Sequence, residues 1–271
     1  MSLDMPLTPP APRYVAELFA PLHRELIALL RGLTPEQWEL PTVAGAWRVR
    51  DVAAHMLDGM LRRLSHVKAG ATPAYEEIVA IINELNATGV AYWRRHSTAV
   101  ITDLLEVAGA RAAAYFESLD PHAPAAIGVA WAGEAESENW MDTGREYTEW
   151  WHHQMQIRDA VGAPPLLVAR WLAPLLDFSM RALPRAYASL KAPEGTTVSI
   201  YVDGEAWTVR REGDRWALYE GTIESPTTTV RIDADTAWRL FYNAPRQRAA
   251  AVIAGDALLA EPLFRARSVM V

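Results

Sequence analysis

REYTEWWHHQMQIRDAVGAPP, residues 145–165, holds the densest cluster of reactive side chains in the chain and also its structural divide. The spacing reads as a helix over 145–161 that stops at Gly162, ahead of Pro164 and Pro165. Upstream the pattern is helical throughout. Val15, Leu18, Phe19, Leu22, Leu26, Leu29 and Leu30 form one apolar stripe at three- and four-residue spacing, predicting a helix over 12–31. Thr34, Pro35, Glu36 and Gln37 then spell a capping box with proline at the first helical position, opening a short turn at Trp38. Further helices are expected over 48–67, 75–95 and 100–119, followed by an Ala-, Gly- and Pro-rich loop over 120–144.

Downstream of the prolines the texture changes. Residues 166–189 still look helical but are interrupted by Pro174 and Pro184. Alternating, β-rich stretches follow at 197–202, 206–210, 216–219 and 227–232, with Asp203-Gly204 and Gly213-Asp214 placed as hairpin turns. Helical patterns close the chain at 234–242 and 257–265, separated by an apolar run at 250–253. The expected fold is mixed, α plus α/β. An N-terminal up-and-down four-helix bundle fills 1–165, and a smaller α+β domain fills 166–271.

Composition bounds the chemistry. The 271 residues include no cysteine, which excludes disulfide scaffolds, thiolate zinc sites, iron–sulfur clusters and a protein-borne thiol nucleophile. The net charge is −7. From Ala163 onward there are 13 basic and 12 acidic residues, against 13 and 21 before it, so the excess acid lies on the helical half. Neither half is a platform for nucleic acid. No signal peptide is visible, and the longest apolar runs are far shorter than the roughly 20 residues a bilayer span needs. The expected location is cytoplasmic, with no membrane partner.

Glu149 and His153 are four residues apart, so both project from one helical face and can converge on a cation. His55, on the helix over 48–67, is the natural third donor. A His–Glu–His set on two helices leaves a coordination position open, as catalytic metal sites do. The spacing alone carries little weight, since a solvated Glu–His pair is the commoner outcome, and His152 is placed nearly as well as His153.

Two stretches carry a resemblance: Thr34 to Trp38, then Trp47 through Asp51-Val52 to His55. Together with Glu149, His153 and the Ala160-Val161-Gly162 ending, they resemble the DinB-like superfamily, in its branch of mycothiol-dependent maleylpyruvate isomerase-like proteins. The segments 228–232, 237–240 and 252–256 are similar to the sterol-carrier-like domain that follows the bundle in that branch. The resemblance implies His55, Glu149 and His153 as ligands of a divalent metal, zinc in the first instance, and its register selects His153 over His152. It further implies a low-molecular-weight thiol of the mycothiol or bacillithiol type as cosubstrate, a small electrophilic substrate, and transferase or isomerase chemistry. It allows a homodimer.

There are two departures. Gln156 stands where many relatives carry tryptophan-aspartate, and Arg246 and Arg248 are displaced from the arginine expected before the final glycine-aspartate. Asp51 and Asp58, four before and three after His55, are candidates to orient its ring. Gln156, Arg246 and Arg248 are candidates to hold ligand or substrate. Trp150 and Trp151 flank the proposed ligands, and Trp131 and Trp140 are placed to form a lid. The same open site also suits a hydrolase using metal-bound hydroxide, and a non-enzymatic binding protein is a third reading.

Overall fold

The computed structural model describes residues 7–65, 75–244 and 251–269. It forms two compact units. The helical one comprises 13–130 and 135–166; the other gathers 7–12, Trp131–Glu134 and the described residues from Leu167 on.

In the helical unit, α1 (Ala16–Arg31), α3 (Val49–Leu64), α5 (Thr98–Ser118) and α6 (Asn139–Val161) enclose one core. Both α5 and α6 pack against α1 and α3, while α4 (Tyr75–Trp93) lies on α3. Val15, Phe19, Leu22, Leu26 and Leu30 of the expected stripe are buried. Phe19 stacks on Phe116 at 4.4 Å and meets Trp150 edge-on at 4.9 Å. The short α2 (Pro35–Trp38) starts on the expected capping box: Thr34 Oγ1 accepts from the Gln37 N–H at 3.3 Å, and Gln37 Oε1 accepts from the Thr34 N–H at 2.9 Å. Gly109 lets α5 approach α1, because a Cβ there would lie 2.2 Å from the buried ring of His23.

The sixth helix begins at Asn139, six residues before the expected Arg145. Its first turn and a half, Asn139 to Gly144, is too short and mixed to show an apolar period. It is held by tertiary contacts instead: Met141 is buried, and the Asp142 carboxylate receives Arg63 Nη1 of α3 at 2.9 Å. At the other end Gly162 takes φ +68°, the left-handed cap for which glycine is suited.

The second unit carries a mixed five-stranded sheet in the order β3-β2-β1-β4-β5. The strands are β1 (Thr197–Val202), β2 (Glu205–Glu212), β3 (Arg215–Glu220), β4 (Thr228–Ile232) and β5 (Val252–Gly255). β1 pairs with β4 in parallel and every other pairing is antiparallel. Asp203 and Gly204 both have positive φ, 45° and 94°, as a two-residue hairpin turn of type I′ requires. Val198, Ile200, Val202, Val209 and Val230 are fully buried. Helices α7 (Ala169–Met180), α8 (Leu183–Tyr187), α9 (Ala234–Phe241) and α10 (Glu261–Arg265) complete the unit, α8 packing on β3 and α7 on α9. The helix expected over 257–265 is a 3-10 turn at Ala257–Ala260 followed by α10. Pro262, at the start of α10, cannot donate the backbone hydrogen bond that one continuous helix would need. At the outer edge of β3, Thr8 and Glu220 exchange two backbone hydrogen bonds, at 3.1 and 2.9 Å. Among the described residues, no helix is long and apolar enough to cross a membrane.

Candidate metal centre

Three side chains from two helices of the helical unit converge. One ligand atom from each of His55, Glu149 and His153 lies within 4.8 Å of the others. On α6, Glu149 Oε2 is 3.3 Å from His153 Nε2, one helical turn on. From α3, the His55 ring meets that of His153 at 4.5 Å between centroids, with planes 74° apart. The face of α3 that carries Val52 and Met56 into the core places His55 at its margin, 8% exposed.

The surroundings prepare these groups as donors. Gln156 Oε1 lies 2.8 Å from His153 Nδ1, an arrangement in which the ring N–H donates and Nε2 keeps its lone pair on the Glu149 side. Trp47, whose backbone carbonyl is held by Thr42, sets its ring 4.9 Å from that of His55 and walls the site. Burial, with His153 beside it, holds His55 well below the ordinary histidine range, so its imidazole is neutral. Burial pushes the Glu149 carboxyl up. The contact with His153 at 3.3 Å, with His152 and Arg145 beside it, outweighs this and holds it below the ordinary carboxylate range.

The neutral imidazole of His55, the ring of His153 and the ionised Glu149 carboxylate are the kinds of donor that hold a divalent metal. His55 Nδ1 is buried without a hydrogen-bond partner, which is costly unless a ligand takes it. The residues present therefore fit a metal ion. His152 is outside the convergence: its Nδ1 is 2.8 Å from the backbone oxygen of Thr148, and the side chain is buried.

The aspartates expected to orient His55 do something else. Asp51 closes the first turn of α3 by accepting from the Arg48 N–H at 3.0 Å, and it receives Arg94 Nε and Nη2 at 2.7 and 2.9 Å. Asp58 pairs with Arg62 one turn on, at 2.9 Å. Both carboxylates are spent on arginines, and neither reaches the His55 ring. Arg246 and Arg248 lie outside the described residues. Trp150 and Trp151 are core residues, 5% and 0% exposed. Trp131 is 2% exposed, and Trp140 donates its ring N–H to Glu138 at 2.8 Å.

One supporting cluster was not foreseen. Arg63 of α3 donates to Asp142 and Glu146 at 2.9 and 2.7 Å, and Arg145 donates to the same two carboxylates at 2.7 Å each. All four sit deep between α3 and α6, one turn before Glu149. The sequence signal was Asp142, Arg145 and Glu146 at three- and four-residue spacing, of which Asp142 was read as loop and the other two as the start of the helix.

A helical unit with a His–Glu–His convergence, followed by a small mixed-sheet unit, defines a class of candidate metal-binding proteins. The family model described as the mycothiol maleylpyruvate isomerase N-terminal domain matches residues 19–158, and the chain belongs to that family. A crystal structure of the mycothiol-dependent maleylpyruvate isomerase superposes with a TM-score of 0.52 at 14% identity, covering 88% of this chain and 90% of that one. A histidine-to-alanine mutant of that enzyme gives 0.50 at the same identity and coverage. This likeness establishes the fold over most of the chain. No curated protein matches the sequence.

Proposed function

We propose that the protein is a divalent-metal-dependent enzyme that uses a low-molecular-weight thiol, of the mycothiol type, in a transferase or isomerase reaction on a small electrophilic substrate. The single observation that carries this reading is the meeting of His55, Glu149 and His153 with their donor atoms within 4.8 Å. Family membership supports the thiol, and the mycothiol-dependent enzyme with the same fold supports isomerase over hydrolase chemistry.

His55, Glu149 and His153 would hold the metal, with zinc suited to this nitrogen and oxygen set. When bound, the metal would supply a Lewis acid that keeps a coordinated thiol deprotonated at neutral pH. The chain's own part is positioning. Gln156 fixes the tautomer of His153, Trp47 limits solvent at His55, and the thiol comes from solution because the chain has no cysteine to compete. A cytoplasmic location, where such thiols are abundant, fits the reading.

The test has two parts. Elemental analysis of purified protein should find about one zinc per chain, lost in His153→Ala; equal zinc in both proteins defeats the site. Mycothiol should raise the melting temperature of the zinc-loaded protein and not of His153→Ala. Zinc without any response to mycothiol points to hydrolysis instead.

A further inference from the structure

Away from the metal centre, three side chains of the helical unit stand in a line of hydrogen bonds. Tyr14 precedes α1, His122 lies in the segment between α5 and α6, and Glu138 immediately precedes α6. The Tyr14 hydroxyl is 2.9 Å from His122 Nε2, and His122 Nδ1 is 3.1 Å from Glu138 Oε2. The backbone that carries His122 is pinned to the start of α6. His122 donates its backbone N–H to Asp120 Oδ1 at 3.0 Å, while Asn139 and Trp140 donate theirs to the carbonyls of Ala123 and Pro121, at 2.9 Å each.

The chemistry of the partners fixes which way the protons lie. An indole N–H can only donate, and Trp140 gives its own to the same Glu138 Oε2 at 2.8 Å. That oxygen is therefore an acceptor, and His122 Nδ1 donates to it. In the neutral ring Nε2 is then an acceptor and takes the Tyr14 O–H. A hydroxyl on a base, with the base oriented by a carboxylate, is the order in which a weak nucleophile is activated. Tyr14 is 51% exposed, so a reagent reaches it from solvent.

We propose that Tyr14 is an acyl acceptor, a site that takes an acyl group from a small donor carrying a good leaving group, with His122 as its base. The phenol oxygen bonds to the acyl carbon and the bond from that carbon to its leaving group breaks. The phenol proton passes to His122 Nε2 and on to the leaving group, so the ring returns to its neutral form. Glu138 is a positioning residue, holding the Nδ1–H and with it the tautomer. None of the three belongs to the metal centre, so the proposal stands apart from the function proposed above.

Tyr92 supplies the control within the same chain. It is 49% exposed, and among the described residues its hydroxyl bonds to no imidazole. The full chain is treated with N-acetylimidazole at neutral pH, O-acetyltyrosine is verified by its reversal with hydroxylamine, and each site is followed over time by peptide mass spectrometry. Tyr14 should be acetylated at least about tenfold faster than Tyr92, short of the roughly hundredfold or more that a positioned base gives in an enclosed site. His122→Phe, which keeps a ring beside Tyr14 and removes the base, should bring Tyr14 down to the rate of Tyr92. Glu138→Gln, which keeps the size and removes the charge, should slow Tyr14 severalfold with the melting temperature and the Tyr92 rate unchanged. Equal rates at Tyr14 and Tyr92 in the wild type overturn the proposal, as does an unaltered Tyr14 rate in either variant. A parallel change at Tyr92 would trace the effect to the fold and overturn it as well.

Discussion

The Nδ1–H of His153 is donated to Oε1 of Gln156 at 2.8 Å, three residues along the same helix. That contact fixes which nitrogen of His153 faces Glu149, and it limits rotation of the ring. Gln156→Ala frees the imidazole to flip and to change tautomer. Zinc affinity should fall by about 10- to 100-fold, with the melting temperature of the metal-free protein nearly unchanged. Competition with a chromophoric chelator measures it; an unaltered dissociation constant would show that Gln156 is a bystander.

Acid should destabilise the metal-free protein well before its carboxylates titrate. Burial, with His153 beside it, pushes His152 down to about 3, and burial holds His55 well below the histidine range. Both are neutral when folded, whereas the unfolded chain protonates them near pH 6.5. The unfolded state therefore binds more protons between about pH 6.5 and pH 3, and stability drops as pH falls through that window. Glu149, with its folded value also depressed, adds a loss in the same direction at lower pH. The expected slope is on the order of 1 kcal/mol per pH unit for each histidine. Urea midpoints of chelator-stripped protein should fall between about pH 7 and pH 5, and less so in His152→Gln. A flat profile would contradict neutral burial.

Gly109→Ala should cost about 1–3 kcal/mol, although alanine is the better helix former. The new Cβ would collide with the His23 ring, which is hemmed in by α1 and by its 3.2 Å contact with the Glu106 carbonyl. His23→Ala made alongside it should recover part of the loss. Additive losses in the double-mutant cycle would mean that the two residues do not compete for the same space.

Arg63→Met leaves Asp142 and Glu146 with Arg145 alone in a buried setting. Removing one partner of a buried pair typically costs about 3–5 kcal/mol, far more than losing an exposed pair such as Arg265 with Glu261. Thermal unfolding of Arg63→Met and of Arg265→Met should separate the two by many degrees.

The periodicities that could be read were those tied to local structure. The stripe from Val15 to Leu30, the Thr34 capping box, the Gly162 stop and the Asp203-Gly204 turn are each written in a few adjacent residues, and each folds as written. The meeting of His55 with Glu149 and His153 was legible through the resemblance and only weakly through spacing. What spacing missed depends on partners distant in sequence. Asn139 to Gly144 is helical because Met141 and Asp142 find partners on other helices. Asp51 and Asp58 lie on the right helix and near the right residue, yet arginines 43 and 4 positions away claim them. A carboxylate near a histidine in sequence says nothing about which cation reaches it first.

The antiparallel bridge between Thr8 and Glu220 sets an order of events during synthesis. Residues 7–12 leave the ribosome long before the strand they border, and the whole helical unit is made in the interval. At about 5–20 residues per second, some 200 residues take roughly 10–40 s to follow. The helical unit has time to close around its core while that first segment waits without its hydrogen-bond partners. Proteins released early by a premature stop before β3 would carry the whole helical unit and an N-terminal segment with nothing to dock on, a natural handle for proteolytic clearance.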